Sequence, residues 1–136
     1  MIIADTGFFV ALGNSSDKFH PQAREVLMVL KEPLITTLPV IVETSHLLLK
    51  RSGNDAQVRF LDKVVRGAFR IWTIEIIHLE RMLALMVKYS DLPMDLADAS
   101  LVVLAEELGD GRILTTDLRD FKVYRWHNDH PFENLL

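Results

Sequence analysis

Apolar residues along the 136-residue chain fall into short unbroken runs separated by longer stretches of helical period. Met1–Ala4 is one such run, too short for a helix, and predicts a buried strand that ends on Asp5. Phe8–Leu12 reads as an apolar helix stopped near Gly13 and Asn14. Asp17 is placed to N-cap the next helix, with Pro21 in its first turns. Ala23, Val26, Leu27 and Leu30 form that helix's apolar stripe, and Pro33 ends it. Leu34–Thr37 predicts a second strand. A helix from Pro39 to about Arg51 then carries Glu43 in its first turns, and another runs from Asp55 to about Arg66. Arg70–Ile74 is rich in strand formers, and 77–90 is helical up to the break at Ser90-Asp91-Leu92-Pro93. Residues 94–121 predict a helix that opens with Asp95 and Asp98, runs to Gly109 and feeds a strand ending on Asp117. Phe121–Trp126 is expected as a last edge strand, and His127–Leu136 as a polar tail.

Strands and helices alternate, with no Asn-Gly hairpin signal between strands. This pattern predicts one α/β domain with a parallel, roughly five-stranded central sheet covered by helices on both faces. Ligands of such sheets bind at the carboxyl ends of the strands, where the strand order reverses. Asp5 and Asp117 end two strands, and Glu43, Asp95 and Asp98 stand in the first turns of helices that follow strands, so all five are expected on one edge. Asp95 reads equally well as a helix cap. Asp98 does not, because it shares a face with Leu101, Val102 and Ala105, where an ionised carboxylate costs several kcal/mol unless it is paired. Glu43 lies between the apolar runs Val40–Val42 and Leu47–Leu49 and poses the same problem. No basic residue stands near Asp5 or Glu43 in sequence before Lys18 and Lys50. Clustered carboxylates need a hard cation, and an all-oxygen ligand set selects Mg²⁺ or Mn²⁺, ions that typically meet phosphate substrates.

Charge looks adverse to a nucleic-acid substrate, since the net charge is −4. Setting the five clustered acids aside leaves fifteen basic residues against fourteen acidic ones, so the rest of the chain is not acidic. The absence of cysteine excludes disulfides, zinc–thiolate sites and cysteine nucleophiles. No apolar run approaches the ~18–20 residues of a membrane span, and no signal peptide opens the chain, so a cytoplasmic protein is expected. His127 and His130 lie in a proline-containing tail without cysteine partners and read as surface residues, while Trp72 and Trp126 read as partly buried anchors.

Five segments, in order, carry a resemblance: Ile2–Gly7, Asp17–Ala23, Thr36–Glu43, Asp95–Leu101 and Ile113–Phe121. Together they resemble the PIN-domain family, and within it the VapC-like toxin ribonucleases of toxin–antitoxin pairs. The resemblance covers residues 1–126 as a nuclease domain and leaves 127–136 as a C-terminal tail. It implies a three-layer α/β/α fold, Mg²⁺ or Mn²⁺ dependence and endonucleolytic hydrolysis of RNA. A homodimer and a small antitoxin partner are also implied. The metal-binding and catalytic acids would be Asp5, Glu43, Asp98 and Asp117, with Asp5, Asp98 and Asp117 as the principal ligands and Glu43 and Asp95 as further candidates. Glu43 would orient a water for in-line attack on phosphorus. Thr6 and Thr116 resemble the hydroxyls beside the acids, and Arg119 is a candidate phosphate contact whose alternative is a solvated surface arginine. Gly7 departs from the pattern, standing where serine or another small residue is frequent.

Two other enzymes with acidic pockets fit less well. A receiver-type phosphoacceptor domain would want adjacent acids after the first strand, and a phosphoaspartate hydrolase an acid two residues after Asp5, where Gly7 stands. The remaining alternatives are a non-cleaving RNA- or protein-binding relative and a housekeeping RNA-processing nuclease without an antitoxin.

Overall fold

The computed structural model describes all 136 residues. Ile2–Ala4 form β1, wholly buried at the centre of a five-stranded sheet. β2 (Leu34–Thr37), β3 (Arg70–Trp72), β4 (Arg112–Leu114) and β7 (Glu133–Asn134) complete it in the order β3-β2-β1-β4-β7, and every pairing is parallel. The chain moves outward from β1 through β2 to β3, then returns to place β4 on the other side of β1. The reversal therefore falls between β1 and β4, as expected for a site.

Crossovers of fixed hand place the helices in two layers. α1 (Thr6–Gly13), α2 (His20–Val29), α3 (Leu38–Ser52) and α4 (Asn54–Val65) make the connections from β1 to β3 and pack on one another. α5 (Ile76–Lys88) and α6 (Leu96–Leu108) make the return connection and pack as a pair. α6 is buried on almost every face, from Ala99 to Ala105, because it lies against β1 and β2 while α5 covers its outer side. Gly109 ends α6 in the left-handed conformation (φ 65°) that glycine adopts without cost. No helix is long and apolar enough to cross a membrane.

Three expectations are corrected. Asp17 does not cap α2: its carboxylate accepts from the Phe19 N–H at 2.8 Å and folds a turn ahead of the helix, whose N-cap is Phe19. Asp117 does not end a strand, since β4 stops at Leu114 and two threonines intervene. Phe121–Trp126 is not an edge strand of the sheet. Asp120–Val123 form a single helical turn (α7), which carries Phe121 and Tyr124 at i, i+3 into the core with their rings edge to face. β5 (Arg125–Trp126) then pairs antiparallel with β6 (His130–Pro131), a separate hairpin turned through His127 and Asn128, both at positive φ.

The edge strand comes instead from residues beyond 126. Glu133 N–H donates to Gly111 O at 2.9 Å and Leu135 N–H to Ile113 O at 2.8 Å, extending the sheet past β4. Asn134 adds a side-chain clamp. Its Nδ2 donates to Thr115 O at 3.0 Å, and its Oδ1 accepts from the Thr115 N–H at 3.2 Å. The main-chain polar groups just past β4 are thus satisfied by the last residues of the chain.

Replacing Asn134 with Ala leaves both Thr115 main-chain groups without these partners. We expect Asn134→Ala to lower stability by about 2 kcal/mol in a urea melt, against a change below about 0.5 kcal/mol for Glu133→Ala, whose exposed side chain makes no hydrogen bond. Equal midpoints for the two variants would show that the clamp contributes nothing.

Candidate metal centre and active site

The site is built at the carboxyl edge of β1, β2 and β4. Asp5 follows β1 directly and N-caps α1, its Oδ1 accepting from the Thr6 N–H at 2.7 Å. Its Oδ2 accepts from the Thr115 hydroxyl at 2.7 Å, a residue just past β4. The Thr115 hydroxyl also accepts from the Asp117 N–H at 3.0 Å, so one side chain ties the two strand ends together. On the other side, Thr36 Oγ1 donates to Ala4 O at 2.7 Å. Thr37 Oγ1 donates to Ser100 Oγ at 2.6 Å, which donates on to Ala97 O. That buried seam fixes the start of α6 against β2 and so places Asp98.

These elements enclose a cleft of about 360 Å³ walled by seven acids: Asp5, Asp17, Glu43, Asp95, Asp98, Asp117 and Asp120. Thr6, Gly7, Thr116 and Arg51 line it as well. The five acids expected on one edge therefore share one cleft, together with Thr6 and Thr116. Arg119 does not line it; its guanidinium points outward, 78% exposed, and pairs with Asp120 at 3.1 Å. Carboxylate oxygens of Asp98, Asp117 and Asp120 lie within 4.8 Å of one another, close enough to hold one ion. Asp120 is not among the acids expected from sequence, although its i, i+3 spacing from Asp117 repeats that of Asp95 and Asp98. Asp117 reaches across this spacing to accept from the Asp120 N–H at 2.9 Å.

Burial and mutual repulsion set the protonation of the cluster. Asp5, 6% exposed, is pushed from an ordinary 3.8 up to about 6. Desolvation is the main cause, opposed by the donors from Thr115 and Thr6 and aided by the charges of Glu43 and Asp117. Asp98 is pushed up to about 8, first by desolvation and then by the charges of Asp95, Asp5 and Asp117. The fully buried Tyr124 donates to its Oδ2 at 2.8 Å and partly offsets the shift. In return its own burial, and then the Asp98 charge, hold the Tyr124 phenol protonated. Glu43 is also raised, by desolvation opposed by the nearby Thr6 hydroxyl, with Asp95 adding repulsion. Asp95 itself is exposed and caps α6, accepting from the Asp98 N–H at 2.8 Å, so its influence on the cluster is through charge.

This donor set fits a divalent cation. All of it is oxygen, the acids repel one another, and no basic side chain lies within 4.0 Å of Asp5, Glu43, Asp95, Asp98 or Asp117. The Thr6 hydroxyl is buried beside Glu43 without a hydrogen-bond partner in the chain, an orphaned polar group that suits the surroundings of a hydrated ion. Gly7 has a steric reason: a Cβ there would overlap Thr116 Oγ1, so glycine is what lets that hydroxyl stand at the cleft wall.

A parallel sheet between two helical layers, with an acid cluster at its switch point, is the arrangement the structure shows. The family model for the PIN domain matches residues 2–126, and the chain belongs to that family. It is 28% identical over 124 residues to ribonuclease VapC26 of Mycobacterium tuberculosis, covering 91% of this chain and 92% of that protein. The crystal structure of VapC20 from the same organism, described as a toxin that cleaves the sarcin–ricin loop, superimposes with a TM-score of 0.81. That alignment covers 86% of this chain and 90% of the other at 23% identity, and it shows the shared fold.

The raised carboxyls make stability pH-dependent with a definite sign. Between 3.8 and their folded values, Asp5 and Asp98 hold protons that the unfolded chain has lost, so stability falls as pH rises from about 5 to about 8. The lowered carboxyls Glu32, Glu106 and Asp110 act in the opposite sense but finish titrating near their ordinary values of 3.8 or 4.5, below this window. The cation-free protein should melt at a lower temperature at pH 8 than at pH 5, and a divalent cation should raise the melting temperature more at pH 8. A melting temperature that climbs through this range without cation contradicts the assignment. Removing the Tyr124 hydroxyl frees the Asp98 carboxylate to rotate. Tyr124→Phe should weaken divalent-cation binding by ~10-fold or more in a calorimetric titration, and unchanged affinity would show that the hydrogen bond does not orient Asp98.

Proposed function

We propose that the protein is a metal-dependent endoribonuclease, the toxin of a VapC-like toxin–antitoxin pair. The observation that carries this reading is the convergence of Asp5, Glu43, Asp98 and Asp117 on one desolvated cleft with no cation of the protein's own paired to them. Mg²⁺ or Mn²⁺ is the ion these oxygens suit, and when bound it supplies Lewis acidity that lowers the pKa of a coordinated water and offsets charge on a phosphodiester. Asp98, Asp117 and Asp5 would hold it, with Asp120 within ligand reach of the first two. Glu43, half-buried in the same cleft, would orient the attacking water and take its proton. Thr115 and Tyr124 keep Asp5 and Asp98 turned into the cleft. No serine, histidine or cysteine nucleophile is required.

The partners have surfaces that suit them. A groove of about 480 Å³ between α1, α2 and α4 is floored by Phe9, Phe60 and Phe69 and edged by Arg24, Arg59 and Lys63. Its apolar floor and basic rim suit a short acidic, amphipathic segment of an antitoxin. On α5, Ile76, Leu79, Leu83 and Val87 form an exposed stripe at helical spacing, 40–75% exposed, which suits self-association in a homodimer.

The test is cleavage of total cellular RNA with Mg²⁺ or Mn²⁺ against the same reaction in EDTA, for the wild type and for Asp98→Asn. Cleavage should vanish in EDTA and fall by more than about 10²-fold in the variant, beyond what loss of a supporting hydrogen bond costs. Full activity in either control rejects the mechanism. Growth arrest on induced expression, absent for Asp98→Asn, separates a toxin from a housekeeping RNA-processing nuclease.

A further inference from the structure

Arg51 is the one cationic side chain that lines the acid-walled cleft, and it is left over after the site is accounted for. It stands in the last turn of α3 beside Lys50, where a cation complements the helix dipole. That explains a positive charge at the end of α3, but not its position on the cleft wall. Glu43, Leu47 and Arg51 follow at i, i+4 and i+8, so they share one face of α3, and all three line the cleft. The residue is exposed and forms no hydrogen bond or ion pair, in a cleft with seven carboxylates. Distance accounts for this. Eight residues of helix separate it from Glu43 by about 12 Å along the axis, and no carboxylate comes within 4.0 Å of its guanidinium.

An anion that fills the cleft must therefore meet two zones: the acids, which receive a phosphate only through a cation, and Arg51, which receives one directly. A lone phosphate is too small to engage both. The backbone of a single-stranded nucleic acid, with phosphates repeated along it, spans them.

Resting on the ribonuclease reading, we propose that Arg51 is a substrate-binding residue that grips a phosphate flanking the scissile one and so sets the path of the RNA strand along α3. Arg119, whose guanidinium does not line the cleft and is already paired with Asp120, does not have this role. The guanidinium suits the task because it stays charged and presents a fork of donors to phosphate oxygens.

The experiment measures binding of a fluorescein-labelled single-stranded RNA of mixed sequence by fluorescence anisotropy, with Ca²⁺ filling the acidic site, over a range of salt concentrations. Wild type, Arg51→Ala, Arg51→Lys and Arg119→Ala are compared. Arg51→Ala should lose affinity by about tenfold. The slope of log K against log salt should shrink in magnitude by about 0.7, the loss of one phosphate contact. Arg51→Lys should recover the slope but not the full affinity, and Arg119→Ala should stay within about twofold of wild type. Mn²⁺ affinity of Arg51→Ala should be unchanged or higher, and its melting temperature should fall by no more than a few degrees, since the side chain makes no contact beyond its interaction with the helix dipole. Wild-type affinity and slope for Arg51→Ala overturn the proposal, as does an equal loss for Arg119→Ala; either result leaves the ribonuclease reading intact. A wild type that binds no RNA overturns both.

Discussion

The structure depends on keeping a carboxylate at the end of its central strand. Asp5 follows β1 directly, and β1 is buried on both sides by β2 and β4 and on both faces by helices. Desolvation there opposes ionisation, and two donors, the Thr6 N–H and the Thr115 hydroxyl, supply part of what water would have given. The rest is missing, because Glu43 and Asp117 add like charge rather than a counterion. A well-packed apolar residue would serve stability better at this point. The chain accepts an electrostatic deficit where the sheet reverses direction, and a divalent cation is the simplest species to cancel it.

Hydroxyl side chains carry this arrangement outward. Thr36 anchors to β1, Thr37 reaches Ser100 of α6, and Thr115 bridges Asp5 and the Asp117 N–H. Each is fully buried and each is satisfied. Threonine suits the role because its branched carbon packs as a strand residue while its oxygen takes up a fixed direction. The same logic explains the end of the chain. Asn134 satisfies both main-chain groups of Thr115, so β7 acts on Asp5 through a single intermediate. The edge strand of the sheet is in this sense part of the site's scaffold.

What was legible in the sequence followed from local pattern. The short apolar runs gave β1, β2 and β4, and the helical stripes gave α2 to α6, because burial and periodicity act within a few residues. Asp98 could be ranked above Asp95 for the same reason: Leu101, Val102 and Ala105 behind it are all buried, whereas Asp95 is an exposed cap. The misses are tertiary. β7 is two residues long and holds only because β4 presents an open edge, so no local signal announces it. Phe121 and Tyr124 look like strand formers by type, yet their i, i+3 spacing suits a single turn that drives both rings inward. Asp120 was hidden by its pairing with Arg119, and Arg51 by the dipole role that a basic residue at a helix end ordinarily fills.

The sign of the charge in the cleft gives an order to events under the proposed function. With its acids ionised and no cation, the site repels a polyanion, and the chain as a whole carries −4. RNA then approaches favourably only after a cation has entered, because the field near the acids changes sign with it. Arg51 is ion-paired with none of them, so it presents positive charge at the cleft wall both before and after loading. An acid-walled cleft with one unpaired cation near the end of α3 is thus biased along that helix. The strand is drawn first to Arg51, and its neighbouring phosphate is delivered to the loaded acids. A cleft with cations on every wall would neutralise its own acids and lose the ion that makes them useful.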